Sequence, residues 1–153
     1  MSLVGRILTL VLATTLVAGA VAYGRALASR RALPTAIPAA WAPDATAPSA
    51  WIFVRRGCAH CDAHLAALAR ATERRGPGRQ ILGRIHVVGD AGRVPTGVRR
   101  EPDRLRRELG VRTTPTTLLV EPGGRVHRAW SGARGAPAWE QALDFVEGRA
   151  VTR

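Results

Sequence analysis

The chain contains no lysine. All 23 of its basic residues are arginine, set against 11 acidic ones, and the net charge is +12. Arginine in place of lysine, together with abundant alanine and glycine, is what a GC-rich coding sequence produces, so the charge has a bland origin. The arginines are also scattered, with pairs at Arg30-Arg31, Arg55-Arg56, Arg74-Arg75, Arg99-Arg100 and Arg106-Arg107. Aromatic residues make up only 5% of the chain, too few to interleave a basic patch with stacking platforms. Together these argue against a nucleic-acid partner and fit a protein beside an anionic membrane surface. Cysteine is nearly absent: Cys58 and Cys61 are the only two, which excludes a disulfide-stapled framework. No internal repeat is visible. With 153 residues, 46% of them apolar, the chain holds one globular core plus short extras.

What is present centres on Arg55-Arg56-Gly57-Cys58-Ala59-His60-Cys61-Asp62-Ala63-His64. The apolar run Trp51-Ile52-Phe53-Val54 leads into it and a helical pattern leads out. A helix start favours negative charge, through its free backbone N–H groups and its dipole. A thiol placed there ionises more readily, and the thiolate is the nucleophile. Cys61, one turn further on, is close enough to close a disulfide with Cys58.

Ahead of this lies an uncharged run from Ile7 to about Tyr23, bracketed by Arg6 and Arg25. It is at the short end for a spanning helix and long for a signal-peptide core. Residues 1–28 are read as an uncleaved signal anchor that crosses the membrane once. The flanking charges, taken literally, would keep the following domain in the cytoplasm. Disulfide exchange has its use outside the reducing cytosol, so the domain is expected on the periplasmic side of a bacterial inner membrane. Residues 29–49, with Pro34, Pro38, Pro43 and Pro48, read as an Ala/Pro-rich linker with few folding contacts.

The folded domain is expected over residues 50–153. Trp51–Val54 reads as a buried strand. A helix runs from Cys58 or Ala59 to about Arg74 and stops at Gly76-Pro77-Gly78. Ile81–Val88 reads as a second strand, weakened by Gly83, and residues 89–101 as a loop. Asp103–Leu109 reads as a short helix. Thr116–Glu121 and Arg125–Trp130 form a hairpin across Pro122-Gly123-Gly124, and Pro137–Glu147 a last helix. The order is β-α-β-α-β-β-α, an α/β arrangement with a central mixed sheet flanked by helices; the first crossover implies a right-handed parallel pair. Trp51, Trp130, Trp139, Phe53 and Phe145 read as core.

Three elements over residues 50–148 resemble the thioredoxin superfamily. They are Cys58-Ala59-His60-Cys61 between strand and helix, the loop and strand Gly110-Val111-Arg112-Thr113-Thr114-Pro115-Thr116-Thr117, and the closing hairpin with Trp130-Ser131-Gly132. The resemblance implies a thioredoxin-like fold and a protein disulfide oxidoreductase acting on exported protein thiols and disulfides, with a redox partner protein and no cofactor. It implies that Cys58 is the exposed nucleophile and Cys61 the resolving thiol. It also implies that Pro115 follows a cis bond and that Thr114 presents its backbone to substrate. His60 can pair with the Cys58 thiolate and lower its pKa, and DsbA-like families carry His at the same place. The active site Cys58-Ala59-His60-Cys61 resembles that of TlpA-like and DsbA-like members.

Two residues depart from the thioredoxin pattern. Ile52 stands six residues before Cys58, where thioredoxins place a buried acid, and Gly57 replaces the usual aromatic. Asp62 could carry proton traffic, or simply complement the helix dipole. The alternative reading is a copper or zinc metallochaperone using Cys58, Cys61 and a histidine among His60, His64, His86 and His127. A third is an adaptor with a structural disulfide, for which so short a loop gives little reason. A c-type haem site is excluded because Asp62, not histidine, follows the second cysteine.

Overall fold

Ser49–Phe53 forms the first strand, β1, and four of its five residues are buried. The structure, a computed structural model of the chain, describes residues 13–24, 33–41, 46–76 and 78–149. After β1 come helix α1 (Ala59–Arg75), a single turn α2 (Arg79–Leu82), β2 (Ile85–Val88), β3 (Arg99–Glu101), α3 (Arg104–Glu108), β4 (Thr116–Val120), β5 (Val126–Ser131) and α4 (Ala136–Val146). The sheet order is β3-β2-β1-β4-β5. The strands β1, β2 and β3 are parallel; β4 runs against them, and β5, its antiparallel hairpin partner, returns in the direction of β1. The sheet is mixed, as expected.

Each element has a local cause. β1 joins β-branched and aromatic residues in one apolar run, suited to a strand buried on both faces. α1 carries Asp62 in its first turn and Arg74 and Arg75 in its last, which complements the helix dipole. It ends at Gly76, whose left-handed backbone (φ +59°) lets its N–H reach the Thr72 carbonyl. α4 opens with Pro137 in its first turn.

The sheet separates two apolar layers. One packs Ile52, Val54, Ile85 and Val87 against Leu65 and Leu68 of α1 and Trp139 and Leu143 of α4. The other gathers Trp51, Phe53, Val88, Leu118 and Val120 with Leu105 of α3. Each fully buried large side chain contributes about 1.5–3 kcal/mol. Trp51, Trp139 and Phe53 are buried, and Trp130 and Phe145 pack partly buried against the first layer.

Three expectations need correction. Ile81 and Leu82 are helical, not strand: they close the turn α2 after Gly78 and pack against the first layer. Residues 99–101 are a strand, not loop. β3 pairs only with β2 and consists of Arg99, Arg100 and Glu101, so no apolar alternation announces it. Residues 33–41, expected in a linker with few folding contacts, are stitched to the domain. Ala36 bridges Arg125, the Ile37 N–H donates to the Gly124 carbonyl (2.8 Å) and the Val126 N–H to the Thr35 carbonyl (2.8 Å). Ile37 is 3% exposed within the second layer, and the Trp41 indole donates to Glu108 (2.9 Å). One well-placed isoleucine turns a Pro-rich segment into a strap, and the compact unit begins at Leu33.

The N-terminal unit is separate. Residues 13–24 are helical, with Leu16, Val17, Val21 and Tyr23 exposed. The rest of the expected 1–28 anchor lies outside the described residues. Among the described residues no helix is long and apolar enough to cross a membrane.

Candidate active site

β1 ends in the buried core, and the chain then turns at Gly57 (φ +70°), a backbone position that suits glycine. Cys58 follows as the N-cap of α1. Its sulfur accepts the Cys61 backbone N–H at 3.2 Å, so one of the helix's free donors already points at sulfur. Cys58 and Cys61 form a disulfide with a Cα–Cα distance of 5.2 Å. The two sulfurs differ in access: Cys58 is half-buried and Cys61 is 1% exposed.

The second side of the site comes from the α3–β4 loop. The Cys58 sulfur lies 3.8 Å from the Thr114 carbonyl oxygen and 3.9 Å from its hydroxyl. The Thr114–Pro115 peptide bond is cis. The loop is pinned from both sides: the Gly132 N–H donates to the Pro115 carbonyl (2.8 Å), and the Thr116 hydroxyl bonds the Thr113 carbonyl (2.7 Å) and Ser131 (3.0 Å). The three motifs singled out in the sequence, the cysteine pair, the Thr114-Pro115 loop and the hairpin exit at Gly132, thus meet at one end of the sheet.

The histidines divide. His60 is exposed on the first turn of α1. His64 is fully buried (0% exposed), beneath Trp139 with ring centroids 4.6 Å apart. The Arg134 backbone N–H donates to its Nδ1 (3.2 Å), so in the neutral ring the hydrogen sits on Nε2, which donates to the Thr117 hydroxyl (2.9 Å). Burial pushes the His64 pKa down to about 4. Thr117 pairs with Ile52 across the β1–β4 ladder. A neutral polar pair, His64 and Thr117, therefore occupies the layer onto which the missing acid would have pointed. The sequence considered His64 only as a metal ligand; its i+3 spacing from Cys61, on the face that carries Leu65 and Leu68, was the available signal of burial.

His86 stacks on Trp51 (3.9 Å) and bonds Glu101 (2.9 Å), while His127 bonds Glu121 (3.0 Å) beside Phe145. Neither reaches the cysteines. Both His64 nitrogens are engaged, and the cysteines hold each other. Among the described residues no group of three or more His, Cys, Asp or Glu side chains is placed to hold a metal ion. Asp62 is exposed and stands at the mouth of a groove of about 880 Å³ between α1 and the β2–β3 loop, floored by Leu65, Ala69 and Leu82.

No protein-family model matches the chain, and no curated protein matches it. Solved structures do. The exposed lipoprotein thioredoxin of Streptococcus pneumoniae strain TIGR4 is 16% identical, with a TM-score of 0.51 over 67% of this chain and 87% of that one. A thiol:disulfide interchange protein DsbE (so named putatively) from Chlorobium tepidum is 20% identical, with a TM-score of 0.50 over 66% and 81%. The domain has a thioredoxin-like fold, and it carries its Cys-x-x-Cys disulfide where a strand meets a helix.

Proposed function

We propose that this protein is a thiol–disulfide oxidoreductase acting on other proteins through Cys58 and Cys61. The observation that carries the reading is the asymmetry of the pair. The half-buried Cys58 sulfur lies against Thr114 at a helix start, and its partner Cys61 is sealed behind it. Two of the solved structures of similar fold are named as a thioredoxin and a thiol:disulfide interchange protein, which supports the same reading.

In the oxidising direction a substrate thiolate attacks the Cys58 sulfur. The Cys58–Cys61 bond breaks, and Cys61 leaves with the electron pair and takes up a proton. A second substrate thiolate then attacks the substrate sulfur of the mixed disulfide and releases Cys58 as a thiolate. The substrate is oxidised by two electrons and the enzyme pair reduced by two; the reducing direction is the same path reversed. The Cys61 N–H already directed at the Cys58 sulfur stabilises the thiolate when it forms. His60, two residues on, adds positive potential there when protonated. Thr114 offers its backbone to an extended substrate segment, and Pro115, lacking an N–H, leaves that edge without a competing donor. No cofactor enters this chemistry.

The working compartment is the extracytoplasmic side of a bacterial inner membrane, with the N-terminal segment as a single-pass anchor. The uncharged run from Ile7 to Tyr23 and the exposed apolar side chains of residues 13–24 support this. The deciding experiment is trapping. Cys61→Ser in the full chain should accumulate mixed disulfides with protein substrates on Cys58, and Cys58→Ser should accumulate none. Equal trapping by both variants would sink the assignment of roles.

A further inference from the structure

Four loops meet at the Cys58 end of the sheet, because β1, β2 and β5 finish there and β4 begins there. Each contributes arginine. Arg55 and Arg56 precede Gly57, Arg93 follows the residue packed against Asp62, Arg112 sits two residues before Thr114, and Arg134 lends its backbone to His64. All five are exposed. Arg56 pairs with Asp90 (2.7 Å). Among the described residues Arg55, Arg93, Arg112 and Arg134 form no ion pair; Asp62 and Glu73 line the same groove as Arg93, and Asp90 is taken by Arg56. Asp103, further round on the β3 side, is already held by Arg106 and Arg107. The loops at the Cys58 end of the sheet thus carry four exposed arginines without an ion-pair partner among the described residues, a ring of basic loops around a reactive sulfur.

We infer that this ring is a docking surface for protein substrates whose reacting cysteine lies in an acidic segment. The inference rests on the oxidoreductase reading above and names its substrate class. Guanidinium groups pair with carboxylates in a planar, two-pronged geometry, and several loops presenting them around Cys58 can engage carboxylates on both sides of one cysteine. Attraction of this kind acts mainly on encounter and so raises the second-order rate constant of exchange. It places the preference in the flanks of the substrate cysteine rather than in the cysteine itself.

The test uses the full chain in neutral detergent, reduced, with three cyclic disulfide peptides of equal length flanked by Glu, Gln or Lys. Each rate is divided by that of the same peptide with dithiothreitol, which removes differences in intrinsic reactivity. At low salt the Glu peptide should react about tenfold faster than the Lys peptide, with Gln between. The ratio should fall toward one in about 0.5 M salt, as screening shortens the reach of the charges. Replacing Arg55, Arg112 and Arg134 together by Gln should collapse the Glu-to-Lys ratio, whereas Arg74→Gln with Arg125→Gln should keep it. Because the readout is a ratio, a partly folded variant does not mimic the result. Equal normalised rates for all three peptides would overturn the docking surface and leave the oxidoreductase reading standing. Reaction with none would overturn that reading, and the inference with it. Equal rates, together with arginine-dependent binding to vesicles of anionic phospholipid, would reassign the ring to a lipid surface.

Discussion

The rim around Cys58 and the seam between the end of α1 and α4 treat the same residue type in opposite ways. At the seam every arginine is committed. Arg74 pairs with Glu140 (3.0 Å), Arg75 bonds Asp144 and Glu147, and Arg149 pairs with Glu147 (3.0 Å). The Asp144 hydrogen bond raises the Arg75 pKa further above its ordinary value. At the rim four arginines have no ion-pair partner among the described residues. Charge that is matched holds elements together; charge that is left over is available to something outside the chain. The two regions also differ in what they bury. The seam covers aliphatic side chains of α1 and α4, whereas the layer beneath Cys58 covers a neutral histidine and a threonine.

The sharpest way to separate the two regions is to remove the sulfur. Cys58→Ser should abolish exchange, a fall of more than about 10³-fold, because the remaining thiol, Cys61, is 1% exposed and sealed from substrate. Arg75→Ala at the seam should leave exchange rates within about twofold of the parent, and both are read in one assay. The next effect is acid sensitivity. The His64 pKa is lower in the folded chain, about 4, than its ordinary 6.5. The unfolded chain therefore takes up the proton first as pH falls. The stabilising contribution is whole above pH 6.5 and is lost as pH drops toward 4, amounting to about 2–3 kcal/mol. Urea unfolding at pH 7 and pH 4.5 measures it. His64→Gln, which keeps a donor and an acceptor but does not titrate, should show a shallower slope by that amount. An unchanged slope would place the acid sensitivity elsewhere.

A smaller contrast lies in two glycines of similar backbone. Gly57 at the rim (φ +70°) has open space where a Cβ would go. At Gly124 in the hairpin (φ +87°) a Cβ would lie 2.7 Å from the Ile37 carbonyl oxygen. Gly57→Ala should cost about 1 kcal/mol, the left-handed backbone penalty alone. Gly124→Ala should cost about 1–2 kcal/mol more, since it also drives the strap off the hairpin. Chemical denaturation of the pair decides this, and equal losses would mean the strap contributes nothing. The least effect is expected from Arg74→Ala, whose half-exposed pair with Glu140 is worth under about 1 kcal/mol.

The cysteine pair, the proline loop and the closing hairpin were legible because each is a local chemical signal: a thiol spacing, a backbone constraint, a Pro-Gly-Gly turn. The apolar runs of β1, β2 and β4 announced themselves by composition. β3 did not, because an edge strand of Arg99, Arg100 and Glu101 is made by backbone pairing with β2 and by nothing its side chains reveal. The strap was hidden for the converse reason. Its prolines and alanines describe a spacer, and only Ile37 and two backbone hydrogen bonds make it part of the domain. His64 was misjudged because the sequence shows which residues are four apart but not which face the sheet. Once Thr117 and Arg134 are in place, a candidate ligand becomes a sealed, neutral hydrogen-bonding group.

The strap also fixes where mechanical load enters the domain. It joins at Gly124, Arg125 and Val126, where β4 has ended and β5 begins, a full strand length from Pro115. A pull arriving through residue 33 is taken first by the hairpin tip and the Ile37 pocket. The sulfurs lie beyond the opposite end of β1. Strain at the strap is therefore separated from the contact of Cys58 with Thr114 by the length of the sheet.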